Sequence, residues 1–153
     1  MLIWIDADAC PVVVRDITIK AAIRLKVKIV FVANKKILLP VSDLIEQVVV
    51  TEGPDKADEY IIENARPGDL VVSQDIPLAH SLVKAKIVVI DPRGRVHTED
   101  NISERLATRD LLQELRDIGD VKGGPQAFGS KEKQAFAASF DRELSKLVRS
   151  SNA

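Results

Sequence analysis

Four aspartates carry most of the chemistry open to this chain. Asp6 and Asp8 follow the apolar run Met1-Leu2-Ile3-Trp4-Ile5, Asp58 falls early in an expected helix, and Asp75 comes shortly after Leu70-Val71-Val72. Residues two apart in an extended strand share a face, so Asp6 and Asp8 are expected side by side if the strand runs on through them. Two like charges at that spacing raise one pKa unless a cation offsets them. A hard divalent cation such as Mg²⁺ or Mn²⁺ is one remedy, since it prefers carboxylate oxygen and keeps waters for reaction at a phosphate. Structural roles stay open beside this one. Asp8 suits a cap on the first helix and Asp6 a bond to the turn, Asp55 and Asp58 suit the macrodipole of a helix start, and Asp75 suits an N-cap. What favours a site is coincidence: several acids fall at the same ends of the expected strands.

A phosphate-facing patch has six candidate cations, Lys35, Lys36, Arg93, Arg95, Arg109 and Lys122. Cys10 stands between the acid pair and a helix start, where a thiol pKa can be lowered. Without a placed histidine partner it is expected to be a small packed residue. His80 and His97 belong to no motif and are expected on the surface or in loops. Trp4 is expected in the core.

The elements that must position these residues alternate. Pro11 opens a helix over Val12 to Leu25, strands follow at 28–33 and 47–50, and Ser42 to Glu46 fits a short helical turn. Thr51-Glu52-Gly53-Pro54 opens a second helix that Arg66-Pro67-Gly68 stops, ahead of a strand over 69–73. A helix over 78–83 and a strand over 86–90 come next, and Arg93-Gly94 with Arg95-Val96 fits a tight turn and a small extra strand. From Ile102 to Ile118 a long helix offers Leu106, Leu111, Leu112 and Leu115 as an apolar face. Asp120 to Ser130 is irregular, and a last helix from Lys131 to about Arg149 presents Phe136, Phe140, Leu144 and Leu147 for packing. Alternation of this kind implies parallel strands joined by right-handed crossovers. The expected architecture is an α/β three-layer sandwich with a central, mainly parallel five-stranded sheet in the order 3-2-1-4-5, plus C-terminal helices. That order brings Asp6, Asp8 and Asp75 to one crevice at the topological switch.

At 153 residues and 46% apolar, the chain suits one domain over residues 1–153. Its 22 Lys and Arg against 23 Asp and Glu give a net charge of -1, which excludes a chain-wide basic nucleic-acid binder. Any grip on phosphate must be local or come through a metal. A single cysteine excludes an internal disulfide and points to a reducing, cytoplasmic home. The start lacks a cationic leader ahead of an apolar run, and no stretch approaches the roughly 20 apolar residues of a membrane span, so neither a signal peptide nor a membrane partner is expected.

Taken together, Ile5-Asp6-Ala7-Asp8-Ala9-Cys10-Pro11, Gly53-Pro54-Asp55-Lys56-Ala57-Asp58-Glu59-Tyr60-Ile61, Val72-Ser73-Gln74-Asp75-Ile76-Pro77-Leu78-Ala79 and Gly123-Gly124-Pro125 resemble the YaiI/YqxD family of bacterial proteins, a branch similar to the PIN-like nucleases. The likeness runs over nearly the whole chain, although the segment after Gly124 departs from the family's usual form. It implies acids after the first strand (Asp6 or Asp8), on a middle helix (Asp58) and after the fourth strand (Asp75), holding Mg²⁺ or Mn²⁺. It also implies a metal-dependent endoribonuclease, a hydrolase acting on RNA. Two other classes stand beside it. One is a haloacid-dehalogenase-like phosphatase using Asp6 and Asp8, against which Cys10 stands where a threonine is usual. The other is a non-catalytic domain that binds RNA or a protein.

Overall fold

Strand β1 (Leu2–Asp6) is the middle of the sheet because its side chains can be buried on both faces. In the computed structural model, which describes residues 1–53, 55–119 and 127–151, β1 pairs in parallel with β2 (Lys28–Ala33) and with β4 (Leu70–Val72). Ile5 lies opposite Phe31 on one side and Val72 on the other. Beyond these lie β3 (Ile45–Val49) and β5 (Val88–Ile90), both parallel, and β6 (Val96–His97), antiparallel at the edge. The order is 3-2-1-4-5-6, so the expected five strands stand as placed and the small extra one closes the sheet.

The period-2 alternation of β1 divides the core. Ile3 and Ile5 pack with α1 (Val12–Leu25) and α5 (Ser130–Ser151), whose Phe136, Phe140 and Leu144 are fully buried. Each such side chain contributes about 2 kcal/mol of burial, and the two phenyl rings stack with centroids 5.3 Å apart. Trp4 faces the opposite layer, formed by α2 (Lys56–Asn64), α3 (Ile76–Lys84) and the start of α4 (Glu99–Asp117). Asp6 has the parity of Trp4 and therefore turns toward α2 and α3. Helices on both faces of the sheet make the three-layer sandwich.

Several local expectations are corrected. Residues 43–44 form a turn, but Ile45 and Glu46 already belong to β3, because Ile45 pairs with Ile29 and the sheet captures them. The α3 helix starts at Ile76, two residues early, with Asp75 as N-cap and Pro77 in its first turn. A capping box between Thr98 and Asn101 likewise starts α4 at Glu99. Its expected apolar face packs only in part: Ile102 is buried and Leu106 and Leu115 are half-buried, while Leu111 and Leu112 are 55% and 40% exposed. His97, expected in a loop or on the surface, is a buried residue of β6. Pro54 and most of the expected irregular stretch, residues 120–126, lie outside the described residues. Among the described residues no helix is long and apolar enough to cross a membrane.

The turn from β5 to β6 docks on α5 through Gly94. Its φ is +91°, and a Cβ there would stand 2.6 Å from the backbone of Ala135, while Ser139 Oγ donates to the Gly94 carbonyl at 2.7 Å. Gly94→Ala combines left-handed strain with a clash against helix backbone. It is expected to cost about 2–4 kcal/mol in urea unfolding, and a loss below about 1 kcal/mol would show that α5 docks without this close approach.

Candidate acidic site

Asp6 ends β1 almost out of water, 9% exposed. Ser73, just past β4, donates its hydroxyl to Asp6 Oδ2 at 2.9 Å and accepts from the Asp75 amide at 3.0 Å, so one serine ties the exits of β1 and β4 together. Asp75 Oδ1 accepts from the Leu78 amide at 3.0 Å, the expected cap on α3. Asp58 lies one turn before Ile61, the buried residue of α2, and hydrogen-bonds to Asp75. The structure thus brings Asp6, Asp58 and Asp75 together at the carboxyl end of the sheet.

Their electrostatics follow from burial and crowding. Desolvation pushes the Asp6 carboxyl from 3.8 up to about 6; the Ser73 bond opposes this, and the charges of Asp75 and Asp8 add to it. Asp58 rises further, to about 8, first through burial, then through its bond to Asp75, and then through the charges of Asp75, Asp6 and Asp55. For both acids, burial and the neighbouring carboxyls favour the protonated form.

Asp8 departs from its expected place. The extended chain stops at Asp6 and a 3₁₀ turn over Ala7–Ala9 follows, so the two acids do not continue on one strand face. Asp8 is exposed and both its oxygens accept from the Asn34 amide at 3.1 Å, across the exit of β2. It does not cap α1, whose N-cap is Pro11 with no side-chain cap bond. Arg15 steadies the turn by donating to the Ala7 carbonyl at 3.1 Å. Cys10 is buried in the core, and burial pushes its thiol up to about 12, which leaves it unreactive. Asp55, at the N-cap of α2, is exposed and makes no side-chain cap bond.

The candidate cations separate into groups. Lys35 and Lys36 stand exposed at the exit of β2, next to the Asn34 amide that holds Asp8. Arg93 is engaged at the start of α5, 3.6 Å from Glu132 and over the ring of Phe128. Arg95 pairs with Asp91, and Arg109 with Asp110. Lys122 lies outside the described residues. Arg95 and Arg109 share a groove with Arg105 and Arg116, two residues not singled out from the sequence. Their spacing of four and seven from Arg109 was the available signal, since it puts all three on one helix face.

A cation is tested here by its donor set. Among the described residues no three His, Cys, Asp or Glu side chains form a ready-made ligand cage. The side-chain oxygens at the acidic end are those of carboxyls and of the Ser73 hydroxyl, and burial together with neighbouring acids raises Asp6 and Asp58. That fits a hard ion such as Mg²⁺, which is commonly held by one or two carboxylates with several waters retained, and it does not fit a thiophilic metal.

An α/β sheet of this order with buried acids at its switch point defines a protein with an acidic crevice at the strand ends. The chain belongs to the YaiI/YqxD family, whose model matches residues 4–146. It is 51% identical over 149 residues to a UPF0178 protein of Myxococcus xanthus, and 49% identical over 149 residues to one of Syntrophobacter fumaroxidans, with 97% of both chains covered in each case. A third relative, from Pseudomonas fluorescens, is 47% identical over 151 residues, covering 99% of this chain and 100% of its own. No solved structure matches the chain at a significant level.

The raised acids make stability depend on pH. Between 3.8 and about 6 for Asp6, and between 3.8 and about 8 for Asp58, the folded state binds more protons than the unfolded one. Stability therefore falls as pH rises through that window. With chelator present, the melting temperature is expected to drop from pH 5 to pH 8, and Asp58→Asn to remove most of the drop above pH 6. An unchanged slope in the Asp58→Asn protein would mean that Asp58 ionises freely.

Proposed function

We propose that the protein is a metal-dependent nuclease that hydrolyses RNA at the Asp6–Asp58–Asp75 crevice. The observation that carries this reading is the contrast among buried acids. Asp69 accepts from the Leu2 amide, the Trp4 indole and the Arg66 amide, and Asp91 accepts from the amides of Arg93 and Arg95 and from the Arg95 side chain. Both have their oxygens satisfied by the fold, as structural acids do. Asp6 has one side-chain donor among the described residues, Ser73, and two acids for company. A fold that spends donors elsewhere leaves this carboxyl open to a ligand.

Asp6, Asp58 and Asp75 would hold Mg²⁺ or Mn²⁺, with Asp8 at the rim acting through water. When bound, such an ion supplies an activated water and neutralises charge developing on the phosphate. The chain's own contribution is placement. Ser73 orients Asp6, the α3 amide of Leu78 fixes one oxygen of Asp75, and Asp58 would take part in its ionised form. The phosphatase reading has less support, because Asp8 lies in the 3₁₀ turn and is held by the Asn34 amide rather than beside Asp6.

Incubation with labelled single-stranded RNA and Mn²⁺ is expected to give cleavage that Asp6→Asn and Asp75→Asn each reduce by at least about a hundredfold, and Asp8→Asn by about tenfold or less. Mn²⁺ is also expected to raise the melting temperature of the wild-type protein at pH 7.5 more than at pH 5, where protons compete for the acids. No cleavage together with no thermal shift would leave the acids without a metal, and the domain as a non-catalytic binder.

A further inference from the structure

Along α4 runs a groove of about 520 Å³ lined by Arg95, Arg105, Arg109 and Arg116, with Ile76 on the opposite wall. Arg105, Arg109, Leu112 and Arg116 follow one another at steps of four, three and four, so they form a single stripe on the helix. Arg95 joins them from the β5–β6 turn. The lining carries four guanidinium groups against one acid among its described residues, Glu104, while Arg95 pairs with Asp91 and Arg109 with Asp110 outside the lining. Arg105 is pre-set: its guanidinium donates to the Val96 carbonyl and lies 2.9 Å from His97 Nδ1. Burial lowers the His97 imidazole to about 4, so its neutral ring can accept from Arg105 at Nδ1. Arg109 and Arg116 are exposed. Leu112, 40% exposed between them, offers an apolar surface against which a ribose or base can lie.

We propose that this groove binds the sugar–phosphate backbone of a single-stranded nucleic acid and delivers it to the acidic crevice. The delivery rests on the nuclease reading above; the binding does not. Guanidinium forks match phosphate oxygens two at a time. From Arg105 to Arg116 the helix rises about 16 Å, whereas successive phosphates of one strand advance about 3.4 Å along a B-form axis. A run of linked phosphates therefore meets the stripe where a lone phosphate would meet one or two arginines. Ile76, the residue directly after the α3 cap Asp75, also lines the groove, which puts the groove beside the N-terminal end of α3.

The test is binding of a labelled single-stranded RNA of about 12 nucleotides, followed by fluorescence anisotropy in EDTA so that no cleavage occurs. Wild-type protein is expected to bind, with log K falling linearly as log salt rises. The exposed pair Arg109→Ala/Arg116→Ala, confirmed as folded by its melting curve, is expected to bind at least about tenfold more weakly, with a salt slope smaller by about 1.4. Replacing both with lysine should restore most of the slope. Unchanged affinity and slope in the alanine variant would overturn the assignment. So would displacement of the RNA by poly-glutamate as readily as by unlabelled RNA, which would give the groove to an acidic protein segment. The two proposals fail separately: RNA bound through these arginines but not cleaved with Mn²⁺ removes the nuclease reading alone, and cleavage indifferent to the arginines removes the groove alone.

Discussion

The in-register pairing of β1 between β2 and β4 is the constraint on which the acidic end of the molecule depends. With Asp6 opposite Val32 and Ile5 opposite Val72, the strand exits are level, and whatever follows β1 and β4 must meet. Ser73 makes the meeting specific, with one hydroxyl serving both the Asp6 carboxylate and the Asp75 amide. Desolvation comes with the position: a carboxyl at the end of a central strand, roofed by α2 and α3, loses water whether or not it gains a partner. The rise in its pKa is the measure of that loss.

The two ends of β1 answer the same problem differently. At the start, Asp69 takes the Leu2 amide, the Trp4 indole and the Arg66 amide, anchoring strand, core and the turn after α2 in one cluster. Removing that carboxylate would strand three donors, each costing about 1–3 kcal/mol where water cannot reach. At the finish, acids stand against acids, with Ser73 the one side-chain donor to Asp6 among the described residues, and their mutual repulsion costs stability. Natural folds retain such local conflicts mainly at functional sites. This is why the Asp69 end is read as architecture and the Asp6 end as chemistry, although both are buried aspartates on neighbouring strands.

Much of this was legible in the sequence where a pattern is local. The bounds of α1 and β2 follow from helical and β-branched periodicity, and the parallel sheet follows from alternation, which leaves several strand orders open. Asp75 was legible as a cap, because an acid before Ile76-Pro77 is a helix start. What was not legible depends on partners distant in sequence. The 3₁₀ turn that rotates Asp8 away is held by Arg15 and the Asn34 amide. His97 is buried because β6 adds antiparallel to β5, pairing His97 with Val89. The leucines of α4 match a core helix by spacing, yet only Leu106 and Leu115 are half-buried, and Leu111 and Leu112 stay exposed.

That last mismatch changes the meaning of the overall charge. A net charge of -1 excludes a basic surface spread over the whole chain, but it is blind to segregation. Here carboxyls collect at the ends of β1 and β4 and the start of α2, while α4, although it carries more acids than arginines, sets arginine at 105, 109 and 116 along one face. A helix with one buried residue contributes little to the core and is free to vary its exposed face. Its arginines share that face with the apolar Leu112, while Arg109 is also paired with Asp110 beside it. A net charge near zero is therefore compatible with a local stripe of arginine on one helix face.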